Sequence, residues 1–433
     1  MTPTITGLIG IIILLAVIFL RMPVGFAMAI VGFLGFGSLV SFDASMNLIA
    51  KDVFSVFGSY NLSVIPLFVL MGQVAFHAGI SRRLFNAAYK WIGHLPGGLA
   101  IATVGACAGF AAICGSTNAT AATMASATLP EMKRYHYHPE IATGVVAAGG
   151  SLGILIPPSI IFIVYGIMTE QSIGKLFMAG FLPGLLLACL FIIAIVIWTT
   201  LRPEIGPPGP RTTFSEKIVS LWGVTETLTL FIMIMGGLFF GIFTPTEAGA
   251  VGAFGTVLLA VVRRTITWKA FVTSLLETTR LSCMILVIVA GATIFSHFLA
   301  VTRIPFDIAT WITGLDVPRG VVMLMIIFVY LVGGCFIDAL ALIMLTVPIF
   351  YPVIQTLGYD PIWFGVIIVL VTQIGVITPP VGINVYIVSG VARDVPLHVI
   401  FKGVMPLLLA LVVGTLILIP FPQIALFLPG LMK

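Results

Sequence analysis

Residues 153–165 read GILIPPSIIFIVY: a strongly apolar run with two adjacent prolines at its centre. The pattern returns at 375–387 as GVITPPVGINVYI, 222 positions later, with its glycine and Pro-Pro in the same register. Proline removes a backbone N–H and displaces the carbonyl four residues back. Glycine nearby lets the chain turn. Each run therefore predicts a helix that starts, breaks and restarts inside an apolar environment.

That environment follows from composition. Of 433 residues, 60% are hydrophobic and only 8% charged, with a mean hydropathy of +1.21. A soluble domain carries roughly 25% charge, and this chain has too little polar surface to cover one core in water. Apolar runs of membrane-crossing length recur, at about 4–20, 23–40, 58–79, 99–130, 140–168, 176–200, 220–242, 246–262, 278–300, 320–353, 362–390 and 403–428. The expectation is an all-α polytopic membrane protein in a lipid bilayer, since barrel strands would alternate instead. Residues 4–20 read as a first span and not a cleaved leader. The five cysteines sit in apolar runs without a CxxC pair and read as small hydrophobes. The net charge of +5 lies in loop lysines and arginines and needs no nucleic acid.

Two segments are long for one span and polar at their centres. In 99–130 the centre is CGSTNAT (114–120), and its apolar arm 99–113 would be only about 22 Å long. That is less than the ~30 Å hydrocarbon core. In 320–353 the centre is GGCFIDALA (333–341). Both predict re-entrant helical hairpins whose tips lie within the membrane, where exposed backbone is tolerated only beside protein or a water-filled cavity. The Pro/Gly-rich stretch 202–217 reads as a linker. Thr244-Pro-Thr-Glu247 reads as a capping box with proline at the first helical position, a structural role for Glu247. The chain divides into 1–60 (scaffold), 61–201 (first repeat, with the hairpin 99–130 and broken helix 140–168), 202–277 (linker and scaffold) and 278–433 (second repeat, with the hairpin 320–353 and broken helix 362–390).

At the offset of 222, Pro130 falls on Pro352, Tyr137 on Tyr359, Pro139 on Pro361, and Ser116 of the first tip on Asp338 of the second. This register argues for duplication. With the N-terminus outside and both hairpins returning to their side of entry, 15 of the 20 Lys and Arg fall on the inner side. Only Lys51, Lys175, Arg303, Arg319 and Lys433 stay outside. The bias predicts both termini outside, with the first hairpin opening inward and the second outward. The repeats are then inverted, as in many secondary transporters.

The breaks free carbonyl oxygens, and carbonyls with hydroxyls suit a desolvated Na+. One predicted ion site joins Ser116, Thr117 and Asn118 to backbone at Gly150, Gly153, Ile156 and Pro157. The other joins Gly334 and Asp338 to Thr372, Gly375, Thr378 and Pro379. An anionic substrate would lie between the tips, against Ser116, Thr117, Asn118 and Ala339, beside Pro158 and Pro380, near helix N-termini that favour negative charge. Asn384 either touches the substrate or bonds a freed carbonyl. A carboxylate such as Asp338 deep in a membrane costs about 2.5–3.5 kcal/mol and reads as functional. The small residues 119–128 read as packing, and Arg280 and Arg303 as snorkelling. There is no Walker A or HExxH motif, and no histidine occupies the apolar segments beside Ser116; the chain reads as a non-enzyme.

Together, 109–132 (GFAAICGSTNATAATMASATLPEM), 149–159 (GGSLGILIPPS), 241–250 (GIFTPTEAGA) and 375–386 (GVITPPVGINVY) resemble the large membrane subunit of tripartite ATP-independent periplasmic (TRAP) transporters, over essentially the whole chain. One departure stands out: the first tip commonly reads Ser-Gly-Ser-Ser-Val-Ala in that family, and here it reads Cys114-Gly-Ser-Thr-Asn118-Ala. The resemblance implies a bacterial inner-membrane importer of organic acids such as C4-dicarboxylates, sialic acids or other sugar and keto acids. It also implies coupling to Na+, here taken as two ions. A small four-helix membrane subunit and a periplasmic substrate-binding protein would be its partners. The hairpins and broken helices would slide as one block against a static scaffold, an elevator motion. A standalone Na+/carboxylate symporter and a channel remain the alternatives: the first would work without a binding protein, the second without sodium.

Overall fold

The computed structural model describes residues 2–313 and 317–432. Lys433, counted above among the outer cations, lies outside them. The described chain is helical throughout, with no strand among these residues. Among the described residues, five helices are long and apolar enough to cross a membrane, or up to seven if each of two bent pairs is one span.

The first predicted hairpin is two helices, Gly98–Cys114 and Thr117–Arg134, joined at Gly115 and Ser116. The second is Arg319–Gly334 and Ala339–Thr356. The second arm of the first hairpin runs through Pro130 to Arg134, so its arms are 17 and 18 residues, longer than the sequence reading assumed. Length alone would not make it re-entrant. Hydrogen bonds do. The N–H of Gly97 donates to the carbonyl of Gly206 (2.9 Å), and that of His138 to Ile205 (3.0 Å). Both feet of the hairpin thus stand on one short strap. The feet of the second hairpin also meet, with the Arg319 guanidinium over the Tyr359 ring at 5.8 Å.

The same bookkeeping shows the repeats to be inverted. The first broken helix, Pro139–Ser151 and Ile160–Met168, starts beside that strap. It ends where the Tyr165 hydroxyl donates to the carbonyl of Pro361 (2.6 Å) and Tyr351 donates to Thr169 (3.1 Å). The second broken helix, Pro361–Ile377 and Ile383–Val391, starts there and ends on the opposite side. Asp394, just beyond it, is hydrogen-bonded by Lys133 at 2.6 Å, which holds that carboxylate below its usual range. The two broken helices therefore run antiparallel. Loop cations pair with buried carboxylates: Arg83 and Arg263 both pair with the buried Glu226, and Lys402 pairs with Glu140 at 2.8 Å.

Several elements differ from the sequence reading. The stretch 202–217, read as a linker, is docked on the first repeat: Gly209 donates to Gly93 and the Thr212 hydroxyl to Lys90. It leads into helix Phe214–Leu221, started by a Thr213/Glu216 capping box. The expected box at Thr244 and Glu247 is present. The run 403–428 is two helices, Leu397–Leu418 and Gln423–Leu431, the second folded back on Ile173–Leu201. The boundary drawn at 277/278 falls inside one unbroken helix, Trp268–Thr302, which contains no proline to stop it. Amphipathic helices Phe42–Phe57, Ile80–Ile92 and Ile304–Thr313 lay between the apolar runs and were not expected.

Packing sorts these helices into two groups. Val24–Leu39 and Val64–His77 lie along Trp268–Thr302, and Val64–His77 also packs on Pro245–Val262. Small residues set the spacing: a Cβ on Gly291 would lie within 3 Å of the Gly25 backbone. The hairpins and broken helices form the second group with Ile173–Leu201 and Leu397–Leu418. The first half of the first broken helix approaches Leu397–Leu418 backbone to backbone at Gly144 and Gly403. Few side chains intervene where glycine faces glycine, so these pairs hold the group tightly.

Candidate functional site

Each break lies against its own hairpin. Gly115 ends the first arm at φ +64°, a left-handed conformation that favours glycine, and a Cβ there would lie 2.6 Å from the carbonyl oxygen of Pro158. A Cβ on Gly153 would lie 2.5 Å from the carbonyl oxygen of Ser116, and one on Gly150 would lie 2.7 Å from Ala121. In the second repeat a Cβ on Gly375 would meet the backbone of Gly334, and Thr372 lies beside the same residue. Both Pro-Pro bonds, Pro157–Pro158 and Pro379–Pro380, are cis. The prolines offer no N–H to the carbonyls of Gly153 and Ile154; the second of these instead accepts from the Ser159 hydroxyl at 2.5 Å.

The two tips meet around a cavity of about 310 Å³. Its walls include Ser116, Thr117 and Asn118 from the first tip, and Asp338 and Ala339 from the second. Ile154 and Ile160 come from the first break. The opposite wall belongs to the scaffold: Val69, Gly72 and Gln73 of Val64–His77, and Leu281, Met284 and Ile285 of Trp268–Thr302. Cys114, where the family commonly has serine, touches this seam, its Cα 3.1 Å from where a Gly72 Cβ would stand.

Ser116 and Asp338 are equivalent positions and do equivalent work. Each caps the second arm of its hairpin: the Ser116 hydroxyl accepts from the N–H of Ala119 (3.4 Å), and the Asp338 carboxylate accepts from Leu340 (3.1 Å). Both second arms therefore begin at the cavity, and their N-terminal dipole ends favour negative charge there. Asp338 is the only charged side chain among the described residues lining the cavity. Asn118 faces it, and the Asn118 amide oxygen is buried without a hydrogen-bond partner. Oxygen donors for a hard cation thus gather at both tips. Among the described residues no cluster of three His, Cys, Asp or Glu exists that would suit a transition metal.

Other predicted residues lie elsewhere. Asn384 is fully buried and does not line the cavity. Its amide donates to the carbonyl of Ala147 (2.9 Å) and to the Thr117 hydroxyl (2.8 Å), tying the second broken helix to the first repeat. The Ala147 carbonyl lies inside helix Pro139–Ser151 and is not one that either Pro-Pro frees. Pro158 is buried behind the first tip, and Ile156 faces a different, apolar cavity. Pro379 and Pro380 are exposed, and neither lines the space between the tips. Thr372 and Thr378 spend their hydroxyl protons on Val369 (2.8 Å) and Ile374 (2.5 Å), leaving lone pairs available. The reading missed Gln73. It is the one amide in Val64–His77, whose other polar side chain, His77, lies at its end, and that oddity was visible in the sequence.

Two inverted repeats, each a hairpin against a broken helix, with a small cavity between their tips whose mostly apolar walls carry a few polar groups from Ser116, Thr117, Asn118 and Asp338, define a secondary-transporter fold. Among solved structures, the Alcanivorax borkumensis YdaH transporter matches with a TM-score of 0.68 at 17% identity, covering 91% of each chain. The Neisseria gonorrhoeae efflux pump MtrF matches at 0.50 and 13% identity, over 88% of this chain and 83% of its own. The chain belongs to the DctM component family of tripartite ATP-independent periplasmic transporters, whose family model matches residues 11–424. It is 40% identical to the C4-dicarboxylate TRAP transporter large permease protein DctM of Pseudomonas aeruginosa, over 89% of this chain and 90% of that one. It is 34% identical to the sialic acid large permease protein SiaM of Vibrio cholerae, over 96% and 97%. The isethionate permease DctMQ of Oleidesulfovibrio alaskensis is 36% identical, with 92% of this chain and 63% of that longer protein covered.

Proposed function

We propose that this chain is the permease through which a tripartite transporter brings an organic acid into the cell, driven by Na+. The observation that carries this reading is the cavity between the two tips. It is about 310 Å³, has one carboxylate and no cationic side chain among its described lining residues, and faces two helix N-termini. A substrate carboxylate would take its stabilisation from those N-termini and from bound cations. Two Na+ ions would sit where each hairpin tip meets its break, one around Ser116, Gly150 and Gly153, the other around Gly334, Asp338, Thr372 and Gly375. The relatives' substrates, C4-dicarboxylates, sialic acid and isethionate, support an organic acid.

The cavity has one wall in each packing group, so sliding the hairpin group along the scaffold would carry it between the two sides. That is an elevator. The family supports a bacterial inner-membrane location, and the charge bias supports both termini periplasmic. The family supports a small four-helix membrane subunit and a periplasmic binding protein as partners. If two Na+ enter with one monoanion, one net charge crosses, worth about 2.3 kcal/mol per 100 mV or roughly fiftyfold accumulation.

The test is uptake of labelled organic acids into proteoliposomes holding this chain and its small subunit, under an inward Na+ gradient, with and without the binding protein. Uptake that needs both sodium and the binding protein is expected. Uptake without the binding protein would replace this reading with a standalone symporter, and sodium-independent flux would replace it with a channel.

A further inference from the structure

Behind the first hairpin lies a second cavity, of about 560 Å³, on the side away from the tips. Its walls are two helical faces that meet where a Cβ on Gly109 would lie 3.5 Å from Leu84 and part around Gly105. One is Gly105, Ala108, Gly109 and Ala112 of the hairpin's first arm; the other is Leu84, Ala87, Ala88 and Trp91 of Ile80–Ile92. Each set is spaced i, i+3, i+4, i+7, a single helical stripe. A stripe of small residues normally draws a second helix into close contact. Here a Cβ on Gly105 would meet nothing within 4 Å. Phe181, Phe231 and Thr227 close the far wall, and Ile156 reaches it from the first break. A gap this size with apolar walls loses its dispersion contacts if it stays empty.

The mouth indicates what fills it. Trp91 is 39% exposed, donates its indole N–H to the carbonyl of Lys217 (3.1 Å), and carries the Lys217 ammonium over its ring at 5.9 Å. A tryptophan and a lysine side by side, on the cation-rich side of the chain, mark a membrane interface and the level of lipid phosphates. Inside, the walls are apolar side chains, the surface an acyl chain covers, and Thr227 keeps its hydroxyl enclosed behind them.

We propose that this cleft holds an acyl chain of an anionic phospholipid from the inner leaflet, its phosphate at Lys217, wedged between the first hairpin and the helices beside it. The lipid would be a structural ligand of the hairpin. The proposal does not depend on the substrate or on sodium.

The test uses the full chain together with its small subunit, reduced to one tryptophan at a time, in bilayers containing phospholipid brominated on its acyl chains. Trp268, on the same side and 78% exposed, reports ordinary lipid contact. Quenching of Trp91 is expected to saturate at a mole fraction of brominated phosphatidylglycerol at least threefold lower than that of Trp268. Ala108→Phe, which fills the cleft, should remove that early phase. Lys217→Gln should leave the fold intact and abolish the preference for phosphatidylglycerol over phosphatidylcholine. Trp91 quenching that parallels Trp268 and ignores both substitutions would overturn the proposal. Early quenching seen only without the small subunit would overturn it too, since the cleft would then belong to that partner.

Discussion

Replacing Asp338 with Asn separates the two jobs the structure allows this residue. As a helix cap, Asp338 accepts one backbone hydrogen bond, from Leu340 at 3.1 Å, and asparagine caps about as well as aspartate. If capping were its whole role, Asp338→Asn would change stability by no more than a few tenths of a kcal/mol and leave sodium dependence alone. As a cation ligand, the carboxylate contributes charge. Two unit charges 4 Å apart interact by about 4 kcal/mol at the effective dielectric of a partly wet site, and an amide oxygen recovers part of that as a dipole. A net loss of about 2–3 kcal/mol corresponds to a rise of roughly 30- to 150-fold in half-saturating Na+. The assay is initial uptake in proteoliposomes against external Na+, with thermal unfolding of the same samples as the control for folding. Asp338→Ala should show the same sodium defect with about 1 kcal/mol of cap loss added. A wild-type sodium curve in Asp338→Asn would refute the reasoning and leave Asp338 as a cap.

The remaining predictions concern the joints of the fold. Gly153→Ala and Gly375→Ala each push a methyl into backbone, 2.5 Å from the Ser116 oxygen and 2.3 Å from the Gly334 carbonyl carbon, and should cost at least ~2 kcal/mol and abolish uptake. Gly236→Ala, with open space around it, should be neutral or slightly stabilising; equal melting temperatures for all three would contradict the close contacts. Asn384→Leu removes amide bonds to Ala147 and Thr117 and should cost about 2–3 kcal/mol in stability, while Gln73→Leu, on the cavity wall, should raise the KM for substrate. The reverse pattern would put Asn384 at the substrate. In a cysteine-free background, single cysteines at Lys133 and Asp394 should react with an impermeant maleimide from the cytoplasmic side only, and cysteines at Gln171 and Glu170 from the periplasmic side only. Labelling of all four from one side would overturn the inverted arrangement.

Composition by itself settled that the chain is a helical membrane protein, because so few charged residues leave no other way to solvate its surface. The repeated Gly and Pro-Pro placed the two broken helices, since proline's missing N–H acts locally whatever surrounds it. Asp338 stood out for a local reason as well: a lone carboxylate in an apolar run needs an explanation. What the sequence could not decide was which surfaces meet. The hairpin arms are long enough to be mistaken for spans, and only the shared strap at 205–206 shows that both feet of the first one stand on the same side. Asn384 could be noticed as a polar residue after a break, but its bond to Ala147, 237 residues away, depends on how the second broken helix packs on the first. Gln73 could be noticed as odd, but its place opposite Asp338 depends on how the scaffold helix Val64–His77 lies against both tips. Backbone chemistry acts over a few residues and is legible in order along the chain. The site is assembled across the repeats and the scaffold, where close packing between distant segments chooses the neighbours.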